Sequence, residues 1–154
     1  MAGHIEERLS ELGITLPDAP APAANYVPYV QTGNLVHVSG QVAMENGAFV
    51  TGKLGQTMDA EDGAKAARLC ALALLAQVKA ACGGDLDRLR RVVKLVGFVN
   101  SSPEFGDQPK VVNGASDLMV EILGGKGRHA RSAMGAGALP FGVAVEIEGI
   151  FEVE

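Results

Sequence analysis

Large aromatic side chains are nearly missing from this chain: of 154 residues none is Trp, two are Tyr and five are Phe. With 47% hydrophobic residues and 20 glycines beside so few rings, the core has to be aliphatic and alanine-rich, and therefore closely packed. Cysteine is scarce as well. Cys70 and Cys82 fall in one helical pattern, about 18 Å apart at 1.5 Å per residue, which excludes a disulfide between them and points to buried free thiols in a reducing compartment. Histidine occurs only at positions 4, 37 and 129, without Cys or Asp at ligand spacing, so no zinc site can be drawn and no metal is expected. Basic excess is absent: 13 Lys and Arg stand against 18 Asp and Glu, for a net charge of -5, which argues against general nucleic-acid binding. The densest basic group is Arg88, Arg90, Arg91 and Lys94. No apolar run approaches the roughly 20 residues of a membrane span, and the mixed charges of the first residues lack a signal peptide's apolar core. A soluble, cytoplasmic, single-domain protein is expected over residues 1–154.

Taken in order, residues 4–12 place Ile5, Leu9 and Leu12 on one helical stripe that Gly13 stops. The prolines at 17, 20 and 22 make the following segment an extended tether, so residues 1–22 read as an N-terminal helix and its Pro-rich tether. Tyr26 to Gln31 and Leu35 to Ala43 read as strands, and Asn46-Gly47 turns into a short strand over 48–51. From Asp59, an N-cap residue, Ala60, Ala64, Ala67, Ala71, Leu74 and Val78 repeat at helical spacing until Gly83-Gly84. The near-continuous apolar run from Val92 to Asn100 reads as a central strand. Asp107 is positioned to cap a second helix carrying Val111, Val112, Ala115, Leu118 and Ile122, which Gly124-Gly125 ends. The order predicts an α+β domain, a mixed sheet with two helices packed on one face.

The closing stretch, RHARSAMGAGALPFGVAVEIEGIFEVE, holds two β-prone runs around Leu139-Pro140-Phe141-Gly142 and reads as a hairpin. In that hairpin Arg131 faces Ile150 and Gly135 faces Glu146. Arg131 and Glu146 then share one face, on the order of 13 Å apart along the ribbon, flanking a small-residue strip able to take a ligand. Solvated strand charges are the competing account of both residues, and Glu148, with the same parity, rivals Glu146.

Three strings in this stretch, Ala130-Arg131-Ser132, Leu139-Pro140 and Val145-Glu146-Ile147-Glu148, resemble in order and spacing the reactive-intermediate (enamine/imine) deaminases of the RidA or YjgF type, formerly called endoribonuclease L-PSP. Pro28-Tyr29-Val30-Gln31 and Ser39-Gly40-Gln41 resemble the same family at the other end of the chain. The resemblance implies a chorismate-mutase-like fold, a homotrimer with a ligand site in each cleft between subunits, and cofactor-independent hydrolysis of 2-imino acids and their enamine tautomers to 2-keto acids and ammonia. It assigns Arg131 to the substrate carboxylate, Glu146 to the attacking water, and Tyr29, Ser39 and Asn113 to the cleft. Ala133 stands where the family's best-known members have cysteine, which enlarges the pocket and bears on substrate choice. His129, two residues before Arg131, reads as a supporting histidine or a proton shuttle. A trimer that binds a keto acid without turnover is the alternative, and an endoribonuclease a more distant one.

Overall fold

The computed structural model describes residues 3–154. Helix α1 (His4–Glu11) buries Ile5 and Leu9, and its free N-terminal amides are capped from far along the chain: His4 and Ile5 N–H donate to the Asp87 carboxylate at 2.9 and 3.0 Å. The bonds from Ile5, first, and His4 hold the Asp87 carboxyl below its ordinary range. The tether that follows is likewise tied down, since Gln77 donates to the Pro20 carbonyl at 2.7 Å.

Strands β1 (Tyr29–Thr32) and β2 (Leu35–Val42) pair antiparallel, and the minor pair β3 (Met44–Glu45) and β4 (Ala48–Phe49) forms the Asn46-Gly47 turn. Helix α2 (Ala60–Ala81) starts as expected, with Asp59 Oδ1 accepting from Asp62 N–H at 2.8 Å. Strand β5 (Leu89–Asn100), helix α3 (Gln108–Leu123), β6 (Ala130–Ala136) and β7 (Val145–Val153) complete the domain. Asp107 occupies the N-cap of α3 but makes no side-chain cap bond; its carboxylate lies 3.7 Å from Lys110 Nζ instead. Cys70 and Cys82 are free and buried. The five-stranded mixed sheet runs β1-β2-β7-β5-β6, with only β5 and β6 parallel. Helices α2 and α3 pack on one face, over an aliphatic core that includes Leu74, Leu75, Leu95, Leu118 and Phe151.

The closing stretch is not a hairpin. The turn at 139–142 forms, with Phe141 at φ 60°, but it carries the chain past β5, which lies between β6 and β7. The cause is α3, which returns the chain to the end where β5 began, so that β6 must run parallel to β5. The register changes accordingly. Arg131 is level with Leu95, itself level with Gly149, whereas Glu146 is level with Phe98 and Val42. Leu95 is fully buried beneath the helices, so Arg131 faces α3 and Glu146, one residue out of phase, faces the uncovered side. The two lie on opposite faces, not on one.

Where α2 crosses α3, Gly114 is obligatory and Gly63 is tightly enclosed by side chains. A Cβ on Gly114 would collide with the Ala64 carbonyl oxygen, and one on Gly63 would reach Leu54 at 2.8 Å and Val111 at 3.0 Å. Gly114→Ala should therefore destabilise the domain by about 3 kcal/mol, because a backbone atom cannot give way as a side chain can. Thermal melts check this against Gly125→Ala, whose added methyl meets nothing within 4 Å; equal melting temperatures for the two variants would refute the crossing constraint.

Candidate active site

Arg131 lies on the edge strand of the sheet, where its side chain reaches across α3. Nη1 donates to Ser116 Oγ and Nη2 to the Pro109 carbonyl, each at 3.1 Å. Pro109, Asn113 and Ser116 follow one another at helical spacing, so the exposed Asn113 belongs to the stripe that Arg131 crosses. His129 steadies the arrangement from the other side: Nδ1 meets the Gly127 carbonyl at 2.6 Å and Nε2 meets Ser116 Oγ at 2.8 Å. A carbonyl only accepts, so Nδ1 carries a proton; in the neutral ring Nε2 then accepts from the serine hydroxyl, whose oxygen accepts from Arg131. This directed chain holds the guanidinium in one orientation with three of its five N–H groups uncommitted by these bonds. Both ring nitrogens of His129 are thus engaged in this arrangement. Ala133, half-buried, points to the same face and packs against the core. Sequence reasoning missed Ser116, whose only signal is its place one turn after Asn113.

Glu146 occupies a second place. Strand β2 bulges between Val38 and Gln41, and the missing side chain of Gly40 gives the carboxylate room: a Cβ there would stand 2.7 Å from Glu146 Oε2. The carboxylate walls a cavity of about 510 Å³ that is otherwise lined mainly by the tether, Val42, Met44, Tyr26, Phe49 and Phe141. Burial, and then the negative charge of Glu148, raise the Glu146 carboxyl above its ordinary value. Glu148 has the expected parity but is exposed and outside this cavity.

The other expected cleft residues sit less directly. Tyr29 is level with Val38 and half-buried against the core, on the helix side, and Tyr26 takes the place in the cavity. Ser39, at the bulge, donates its hydroxyl to the Val27 carbonyl at 2.8 Å, which ties the end of the tether to β2. Tyr26, Phe49 and Phe141 were not singled out from the sequence. Their signal was available, because they are rings placed in turn-prone or Pro/Ala-rich segments of a chain with few rings. A second, polar hollow of about 560 Å³ contains Lys53, Ser101, Ser102 and Gln108; Lys53 Nζ is held by Asn100 Oδ1 and the Gly137 carbonyl, both at 2.6 Å. Among the described residues no group of three His, Cys, Asp or Glu could hold a metal, and no helix is long and apolar enough to cross a membrane.

Within one chain the two charged groups are far apart. With β5 between their strands and three residues of stagger, their Cα atoms are about 14 Å apart, with side chains on opposite faces.

Residues 6–148 match the family model described as "YjgF/chorismate_mutase-like, putative endoribonuclease". The chain is 51% identical over 154 residues to Protein TCP17 of Trypanosoma cruzi, covering 99% of this chain and 96% of that one. It is 32% identical over 143 residues to the 2-iminobutanoate/2-iminopropanoate deaminase of Dermatophagoides farinae, covering 92% and 95% respectively. The crystal structure of Atu1372 from Agrobacterium tumefaciens superposes with a TM-score of 0.91 at 54% identity, over 98% of this chain and 93% of that one. The chain belongs to the YjgF/RidA family, with its chorismate-mutase-like α+β fold.

The raised Glu146 carboxyl has a consequence for stability. Above its folded-state pKa the native protein carries an anion that burial and Glu148 disfavour, so Glu146 lowers stability there. As pH falls from that value toward the ordinary 4.5, the native carboxyl protonates before the unfolded one and the penalty fades. Glu146→Gln should melt above wild type at neutral pH, with the difference shrinking as pH falls through this window. A difference that stays constant across it would refute the assignment.

Proposed function

We propose that this chain hydrolyses reactive 2-imino acids and their enamine tautomers to 2-keto acids and ammonia without a cofactor. Glu146 carries the reading: it is a carboxylate of raised proton affinity in the wall of a largely apolar cavity, which suits a base that takes a proton from water near neutral pH. The deaminase name of the Dermatophagoides farinae relative supports the same chemistry.

In the proposed reaction a protonated imine, R–C(=NH2+)–COO−, presents an electrophilic carbon. Arg131 holds the carboxylate through its free N–H pair, which fixes orientation as well as charge. Glu146 accepts a proton from water as its oxygen bonds to the imine carbon, giving a neutral-amine carbinolamine. That proton passes to the nitrogen, the C–N bond breaks, and the carbinolamine hydroxyl proton returns through Glu146 as C=O forms. The sum is imine plus water to keto acid plus ammonium. Tyr29, Ser39, Asn113 and Ala133 remain the proposed cleft residues, Ser39 by shaping the bulge beside Gly40 and Asn113 by its place beside Arg131.

Since Arg131 and Glu146 of one chain face opposite ways, a ligand that touches both belongs between two copies. A homotrimer with a site in each inter-subunit cleft meets that requirement, with Arg131 from one subunit and Glu146 from the next. The net charge of -5 and a cavity whose charge is a carboxylate oppose cleavage of an RNA backbone.

Purified protein should accelerate keto acid release from 2-aminoacrylate generated in situ. Arg131→Ala should reduce kcat/KM by roughly 100-fold, mainly through KM, and Glu146→Gln should reduce kcat by roughly 100-fold or more. Co-expression of the two inactive variants in equal amounts should restore about one quarter of the sites, since each site then draws one intact residue from each parent. No recovery in mixed trimers would place both residues in one subunit's site, and saturable keto acid binding without turnover of any imine would favour a binding protein.

A further inference from the structure

We propose that the tether-lined cavity beside Glu146 is a subsite for a large apolar side chain, branched or aromatic, so that the preferred substrate is a bulky apolar 2-imino acid and not the smallest one. This rests on the deaminase reading and specifies its substrate class.

Three features of the cavity point this way. Its outer wall is built and fixed: Gln77, only 1% exposed, donates to Pro20 O at 2.7 Å and lies 3.4 Å from Gln41 Oε1, so the tether is held against the body at that point. Its rim is aromatic. Phe49 and Phe141 stack with centroids 4.5 Å apart and planes 5° from parallel, yet remain 42% and 55% exposed. A chain with five phenylalanines thus places two at one solvent-facing mouth, and Phe141 sits there at φ 60°, a backbone state unfavourable for a bulky residue. Exposed rings at a concave mouth suit apolar contact with a ligand.

The charge of the cavity then orients what enters. Among the described residues lining it, Glu146 is the only charged one, with no Lys, Arg or His beside it. A carboxylate is repelled, whereas an apolar group with an N–H donor at its base is accepted. In a 2-imino acid those are the side chain and the iminium nitrogen, leaving the carboxylate to reach away from the cavity. At about 510 Å³ the space is of ligand size, and the methyl group of 2-iminopropanoate would leave most of it unfilled.

The test has a kinetic arm and a binding arm. Imines are generated by an amino acid oxidase from alanine, leucine and phenylalanine, and kcat/KM is compared. The phenylalanine-derived imine should exceed the alanine-derived one by about tenfold or more, and Phe49→Ala and Phe141→Gly should each bring that ratio toward one. Glycine is the residue that the backbone at 141 favours, so the second variant keeps the fold. In the binding arm 2-phenylethylamine, which has no carboxylate, is titrated calorimetrically. It should bind wild type and Arg131→Ala alike and bind Phe49→Ala at least tenfold more weakly. A flat imine preference unaltered in both rim variants, or no amine binding because another copy fills the cavity, overturns the subsite while turnover keeps the deaminase reading. Rim-dependent amine binding without turnover of any imine supports the apolar subsite and overturns the deaminase reading.

Discussion

Strand β5 is hydrogen-bonded along both edges, antiparallel to β7 and parallel to β6. Val92, Leu95 and Val99 on its helix side are fully buried. A strand so placed leaves β6 at the sheet edge and obliges the chain between β5 and β6 to cross over a face, which α3 does. Because α3 then packs beside α2, the crossing requires a bare backbone at Gly114, where a Cβ would meet the Ala64 carbonyl. Placing β6 beyond β5 also lays the Arg131 side chain on α3. The position of β5 therefore decides which face each charged residue reaches.

The two faces give the charges different surroundings. On the helix side Arg131 meets groups that accept, Ser116 Oγ and the Pro109 carbonyl, with His129 Nε2 bonded to the same serine hydroxyl. A guanidinium held at two points loses little further freedom when it binds a carboxylate. On the open side Glu146 lies against Gly40 and the apolar cavity wall, and its burial and the like charge of Glu148 favour proton uptake. In the proposed reaction the first holds an anion and the second accepts a proton. Their separation within a chain is what makes association between copies part of the proposed chemistry.

Much of this was legible in local sequence. Helix α2 followed from the spacing of Ala67, Ala71, Leu74 and Val78 and from the Asp59 cap, all of which depend on neighbours within a few residues. Arg131 and Glu146 stood out because their flanking strings carry a family pattern. Strand order was not legible, since GAGALPFG can close a hairpin or bridge two strands across a third, and the choice lies with β5 some 40 residues earlier. That single difference moved Arg131 to the other face. Asp107 shows the limit of cap reading: the right residue at the right place turns toward Lys110 rather than the backbone.

The N-terminal segment illustrates how distant contacts turn an ordinary composition into the wall of a cavity. A proline-rich run has little means of bonding to itself, so its place depends on what the domain offers it. Here Asp87 caps the helix before it, Gln77 takes the Pro20 carbonyl, and Ser39 takes the Val27 carbonyl at its far end. Pinned at these points, the tether encloses space beside Glu146 that would otherwise be open sheet surface. A segment whose sequence reads as a connector thus becomes one wall of the cavity that the Glu146 carboxylate also lines.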